Sequence, residues 1–146
     1  MTTINIYLTF NGNCEEAFNY YKSVFGNEFV MMSRFKEMPP QEGMTLRKEE
    51  EDLVMHVTLP IGGGTVLMGS DTGGEWASNY KQGTNFSISV GTDSKDEANR
   101  IFGDLSKGGT VVMPMENTFW GSYFGMLTDQ FGIQWMVSFG TETKEK

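Results

Sequence analysis

His56 is the only histidine in the chain. An imidazole, titrating near neutrality, is the side chain best suited to act as a general base or metal ligand. It lies in LVMHVTLP, a strand-like run, and a one-residue change in hairpin register decides whether its ring faces a ligand cavity or a helix layer. The competing role is that of a hydrogen-bonded structural histidine. Asp71 closes TVLMGSD beside Ser70, where a carboxylate can take a substrate proton or tie down turn amides. Glu116 and Asp129 flank an aromatic segment and are candidate acid or base partners of His56, or else solvated loop carboxylates. Phe119, Trp120, Tyr123, Phe124 and Trp135 form an aromatic concentration that can wall a ligand pocket or fill a core. The eleven methionines, among them Met31, Met32, Met55, Met68, Met113 and Met136, offer adaptable apolar surface for either purpose.

Cys14 stands at a helix entrance, where the partial positive charge of the helix end lowers a thiol pKa, but Glu15 and Glu16 largely offset that gain. As the single cysteine it forms no intramolecular disulfide and rules out cysteine-rich metal sites. A reducing cytoplasm is the expected compartment. A net charge of -8 repels phosphate backbones and anionic lipid surfaces, so neither nucleic acid nor membrane is an expected partner. The apolar run at the N-terminus breaks at Asn11 and Gly12, too early for a signal peptide or a membrane span.

The elements that must position these residues fall into a pattern that occurs twice. INIYLTF reads as a strand, and the helix after it places Ala17, Phe18, Tyr21, Val24 and Phe25 on one buried face before a stop at Gly26. FVMMSRF is a second strand, and Lys36 to Asp52 an exposed excursion with Pro39, Pro40 and the solvated charge run RKEEED. LVMHVTLP and TVLMGSD then form a hairpin across IGGG. Those glycines lie between two strands, whereas a phosphate-binding loop needs a helix immediately after its glycines. Beyond TGGEWASNYKQG the order begins again, with NFSISV as strand, DSKDEANRIFGDL as helix, and GGTVVMPM, SYFGMLTD and IQWMVSF as strands. Glu16, Ala17 and Tyr21 correspond to Glu97, Ala98 and Phe102, as in an internal duplication. The expectation is a single α+β domain over residues 1–146, built from two βαβββ modules of about 1–75 and 82–140 that form a curled half-barrel. Its inner faces would enclose side chains or a small ligand.

The duplicated order resembles the glyoxalase, bleomycin-resistance and extradiol dioxygenase superfamily, the vicinal-oxygen-chelate proteins. FNGNCEEAFNYYKSVFG, HVTLPIGGGTVLMGSD and TFWGSYFGMLTDQFGIQWMV narrow the resemblance to PhnB-like proteins. Metal-dependent relatives take one ligand from the first and last strand of each module and use the metal as a Lewis acid. Laid on this chain, that pattern falls at Ile6, Met68, Asn85 or Phe86, and Met136. Aliphatic and thioether side chains do not hold a hard divalent ion, so no metal and no other cofactor is expected. Families of this type often carry a demethylubiquinone methyltransferase label, yet the chain lacks the glycine-rich strand-to-helix turn and ribose-binding acid of a methyl-donor fold. The resemblance implies a homodimer binding a small organic ligand, with His56 and Asp71 as polar or catalytic groups and Trp120, Tyr123, Phe124, Met68, Met136 and Asn85 at the ligand. The rivals are an enzyme, which acts by acid–base chemistry or recruits a metal through His56 with Glu75 or Glu116, and a resistance protein that sequesters a toxic compound unchanged.

Overall fold

The computed structural model describes residues 2–37, 47–72 and 80–140. The chain divides into two compact units, Met1–Lys81 and Gln82–Lys146. In the first, β1 (Ile6–Phe10), α1 (Cys14–Phe25), β2 (Met31–Arg34), β3 (Val54–Gly62) and β4 (Thr65–Asp71) make one four-stranded sheet in the order β1-β4-β3-β2. In the second, β5 (Ile88–Gly91), α2 (Lys95–Ser106), β6 (Thr110–Asn117), β7 (Ser122–Thr128) and β8 (Gln134–Gly140) repeat it as β5-β8-β7-β6. Each unit pairs its first and last strands in parallel and the others antiparallel. Neither sheet closes into a barrel, and the class is α+β with two βαβββ modules, as expected from the sequence.

The apolar stripe of α1 explains how the first sheet is covered. Cys14, Ala17, Phe18, Tyr21 and Val24 are buried along the helix, and Leu8, Phe10, Val57, Leu59 and Leu67 are buried on the strands. Burying each such large side chain contributes about 1.5–3 kcal/mol. Gly69 lets the helix approach, because a Cβ there would lie 2.7 Å from a ring carbon of Phe18. Gly26 takes a left-handed conformation with φ 81° and ends α1, donating its N–H to the carbonyl of Lys22. In the second unit Ala98, Ile101, Phe102 and Leu105 of α2 are buried, as are Ile88, Leu127, Trp135 and Val137 of the strands.

Two expectations need correction. The second module's first strand begins at Ile88, so Asn85 and Phe86 precede it. The charge run RKEEED is not wholly solvated: Glu50 is buried, and its carboxylate accepts from the backbone N–H and guanidinium of Arg47 in a short 3-10 turn. Residues 38–46 of that excursion lie outside the described residues, as does Glu75.

Candidate functional site

Strand alternation settles where His56 points. Val57 and Leu59 pair with Gly69 and Leu67, on the side of the sheet packed by Phe18. His56 and Thr58 therefore face away from α1, with Met68 and Ser70 of β4 and Tyr7 of β1. An extra residue, Met55, enters β3 where the pairing with β2 shifts between Ser33 and Arg34. The imidazole lies between two hydroxyls. Its Nε2 is 2.9 Å from Thr58 Oγ1, and its Nδ1 is 3.4 Å from the hydroxyl of Tyr7, whose ring is tilted against it with centroids 5.7 Å apart. If Nε2 carries the proton, it donates to Thr58 and Tyr7 donates to Nδ1; the other tautomer reverses both bonds. Ser33 is directly across from His56 on β2, and its Oγ is buried with no hydrogen-bond partner among the described residues. Tyr7, Ser33 and Thr58 were not singled out in the sequence. Thr58 could have been, because it is two residues along the same strand. The other two depend on strand pairings that no local pattern encodes.

Asp71 faces the opposite side. It pairs with Phe10, and its buried carboxylate accepts from the backbone N–H groups of Gly12 and Cys14 at 2.9 Å through one oxygen and of Val54 at 2.9 Å through the other. The carboxylate thereby caps the start of α1, a task that the side chain of Asn13 does not perform. Asp71 and His56 are not brought together. Burial, with the charges of Asp71 and Glu15, pushes the Cys14 thiol far above the usual thiol range, which suits a packing role.

In the second unit the same alternation separates the aromatic candidates. Gly125 and Leu127 lie on the α2 side, where a Cβ at Gly125 would meet Phe102 at 2.8 Å. Tyr123 shares that side: its hydroxyl donates to Asn99 Oδ1 at 2.8 Å, and Lys95 Nζ lies 4.7 Å from the ring centroid. Phe124, Met126 and Met136 face the other way, and Phe124 pairs across the strands with Glu116 and Ser138. Trp120, in the turn between β6 and β7, packs edge-on against Phe124 with centroids 5.8 Å apart. Trp135 is buried, and its Nε1 donates to Asp129 at 2.8 Å. Asp129 is not solvated as expected but buried, also accepting from the N–H groups of Phe131 and Ile133. Phe86 is exposed, and its carbonyl accepts from Gln134 Nε2.

Strand pairing shows which residues stand beside the positions laid out for the superfamily's metal ligands. Met68 pairs with Tyr7, while Ile6 pairs with Leu67 on the α1 side. Met136 pairs with Ser89, not with Asn85 or Phe86. The first unit thus sets a phenol beside a thioether, and the second a primary hydroxyl beside a thioether. These donors do not fit a hard divalent ion, which asks for carboxylates and imidazoles. Among the described residues no group of three or more His, Cys, Asp or Glu side chains could hold a metal.

Comparison with known proteins agrees with this architecture. Residues 2–138 match the family described as 3-demethylubiquinone-9 3-methyltransferase. The chain belongs to that family. This PhnB-like chain is 30% identical to Protein YjdN of Escherichia coli (strain K12) over 141 residues, covering 90% of this chain and 91% of YjdN. It is similar in structure to protein PA1353 from Pseudomonas aeruginosa, with a TM-score of 0.81, 39% identity, and coverage of 96% of this chain and 98% of that one. A putative 3-demethylubiquinone-9 3-methyltransferase, PhnB protein, from Bacillus cereus follows at a TM-score of 0.74 and 28% identity, covering 95% of this chain and all of that one (100%). The fold extends to a glyoxalase/bleomycin resistance protein/dioxygenase family enzyme from Burkholderia phytofirmans PsJN. There the TM-score is 0.59 at 14% identity, with 94% of this chain and 96% of that chain covered. The PhnB-like chain thus shares the fold of that glyoxalase/bleomycin-resistance protein, and among its described residues no helix is long and apolar enough to cross a membrane.

Proposed function

We propose that this PhnB-like protein binds a small organic ligand without a resident metal, on the sheet face that carries His56. The observation behind this reading is the placement of His56. It stands between the hydroxyls of Tyr7 and Thr58, beside an unpartnered Ser33 hydroxyl and the apolar Met68, on the face that α1 does not cover. Such a face offers a ligand apolar contact area and a few polar groups to fix its orientation. A long apo contact of the kind between Tyr7 and His56 commonly tightens when a ligand arrives.

Methyl transfer, the activity in the family's description, finds little support in these residues. The N–H groups of Gly12 and Cys14 at the start of α1 already donate to Asp71, and Ser94 caps α2 by accepting from the N–H of Glu97. The second reading is acid–base catalysis by His56, favoured by its chain of hydroxyl partners. Sequestration of a toxic compound is the third, and a ligand recovered unaltered after long incubation separates it from catalysis. The reading also includes a homodimer in a reducing cytoplasm, which rests on the resemblance and on the single cysteine.

The first test is native mass spectrometry of protein purified without chelator, which reports subunit count, metal and retained ligand together. A metal-free dimer carrying an organic adduct is expected, and one divalent ion per subunit would overturn the reading. Against that adduct or a ligand found by screening, His56→Ala is expected to weaken binding by about 10-fold, the loss of one hydrogen bond to the ligand. Unchanged affinity in His56→Ala and Tyr7→Phe, measured by calorimetry, would remove this face from the site.

A further inference from the structure

We infer that the second unit carries a subsite for a small organic cation, formed by Glu116, Trp120 and Phe124. Phe124 of β7 pairs directly with Glu116 of β6, so the carboxylate and the ring rise side by side from the face opposite α2. Trp120 reaches the same ring from the hairpin turn, 5.8 Å between centroids, and Phe119 packs edge-on against Trp120 at 5.0 Å. Trp120 remains 46% exposed and Phe119 97%, so the hairpin presents aromatic surface that the unit itself leaves uncovered. Glu116 is exposed and has no ion pair or hydrogen bond among the described residues, unlike Asp104 of the same unit, which is bridged by Arg100 and Lys107.

A carboxylate paired across the strands with an aromatic ring, against which a second ring packs, is a combination that recognises an ammonium group. The rings attract the cation through their negative faces, and the carboxylate supplies the counter-charge. A neutral aromatic compound could use only the rings, and an anion would meet Glu116 and the -8 charge of the whole chain. The turn that holds Trp120 is already ordered. The Thr118 hydroxyl donates to the carbonyl of Ser122 at 2.7 Å, the N–H of Thr118 donates to the same carbonyl at 2.9 Å, and the N–H of Gly121 returns to the carbonyl of Thr118 at 3.2 Å. Little ordering is left for a ligand to induce. Glu116, Trp120 and Phe124 all lie in the second unit, so this inference is independent of the His56 face.

The test is calorimetric titration of the intact protein with benzyltrimethylammonium, with benzyl alcohol as the neutral control. The cation is expected to bind at least about tenfold more tightly than the alcohol, and more weakly as salt is raised. Glu116→Gln is expected to lower its affinity about fivefold or more and Trp120→Leu to do the same, each variant being checked for an unchanged melting curve. Asp96→Asn, which removes the same charge from an exposed position on α2, is expected to stay within about twofold of the parent. Equal binding of alcohol and cation, Glu116→Gln no weaker than Asp96→Asn, or no cation binding at millimolar concentration would each overturn the subsite.

Discussion

Asp71 accepts three backbone N–H groups in a buried setting, and that geometry separates its role from that of His56. In Asp71→Asn an amide replaces one carboxylate oxygen, so at least one buried N–H faces a donor, at a cost of about 2–3 kcal/mol. Thermal denaturation should show a melting point lower by about 5–10 °C. Ligand affinity at the His56 face should hold, and a variant that keeps its melting point but loses binding would instead place Asp71 in the site. Cys14 gives a second check. Its thiol is buried and pushed strongly towards the protonated form, so Ellman's reagent should react with it only after the protein is unfolded. Labelling as fast in the native state as in denaturant would contradict that burial. The sequence was a partial guide at this scale. His56 could be picked by type because it is the only imidazole, but its direction hangs on one residue of register and its partners come from β1, β2 and its own strand. Tyr123 and Phe124 are adjacent aromatics with the same composition argument behind them, yet strand alternation sends them to opposite faces.

Strands and helices were easier to read than side-chain partners. TVLMGSD coincides with β4 from Thr65 to Asp71, and the three-and-four spacing from Ala17 to Phe25 gives the buried face of α1, because both patterns are local. NFSISV suggests a strand from Asn85, because alternation of Phe86, Ile88 and Val90 suits one, yet pairing with β8 starts only at Ile88. Registers across the parallel pairs were not legible, because they depend on how the two ends of a module meet. Tyr7 and Ser89, rather than Ile6 and Asn85 or Phe86, stand across from Met68 and Met136. Helix-to-sheet contact yields the prediction at this scale. Gly69→Ala would push a methyl carbon to 2.7 Å from Phe18 and 2.9 Å from the carbonyl oxygen of Leu8, and Gly125→Ala to 2.7 Å from the Met115 sulfur and 2.8 Å from Phe102. Overpacking of this sort costs about 1–3 kcal/mol. Gly69→Ala should be the worse of the two, since the Leu8 carbonyl is backbone and cannot swing aside, whereas Met115 can. Urea denaturation of both variants checks the order, and a Gly69→Ala protein as stable as the parent would refute the tight helix contact.

For the molecule as a whole, the -8 charge at pH 7 sets long-range repulsion against a few contact ion pairs. Salt at physiological strength screens beyond about 8 Å, so it weakens the diffuse repulsion more than pairs in contact. The pairs that matter tie β2 to α1 and the two ends of the excursion to each other. Arg34 holds both oxygens of Glu15 at 2.9 Å and donates to the carbonyl of Asp52, while Lys36 meets the carboxylate of Asp52 at 2.8 Å. The Arg34 hydrogen bonds hold the Glu15 carboxyl below its ordinary value of 4.5, and Lys36 holds Asp52 below 3.8. Both groups therefore bind fewer protons folded than unfolded, so their contribution is complete above the ordinary values and disappears as pH falls through the lowered ones. Melting temperature should be flat from pH 7 to about 5 as far as these two groups decide it, then fall. Glu15→Gln removes the better buried of the two carboxylates. Because the pair is partly exposed, the loss at pH 7 should be about 1 kcal/mol or less. The difference between variant and parent should then shrink as pH drops below 4, where the parent's Glu15 is itself becoming protonated. Parallel curves for parent and variant down to pH 2 would show that the Arg34 pair contributes nothing to acid stability.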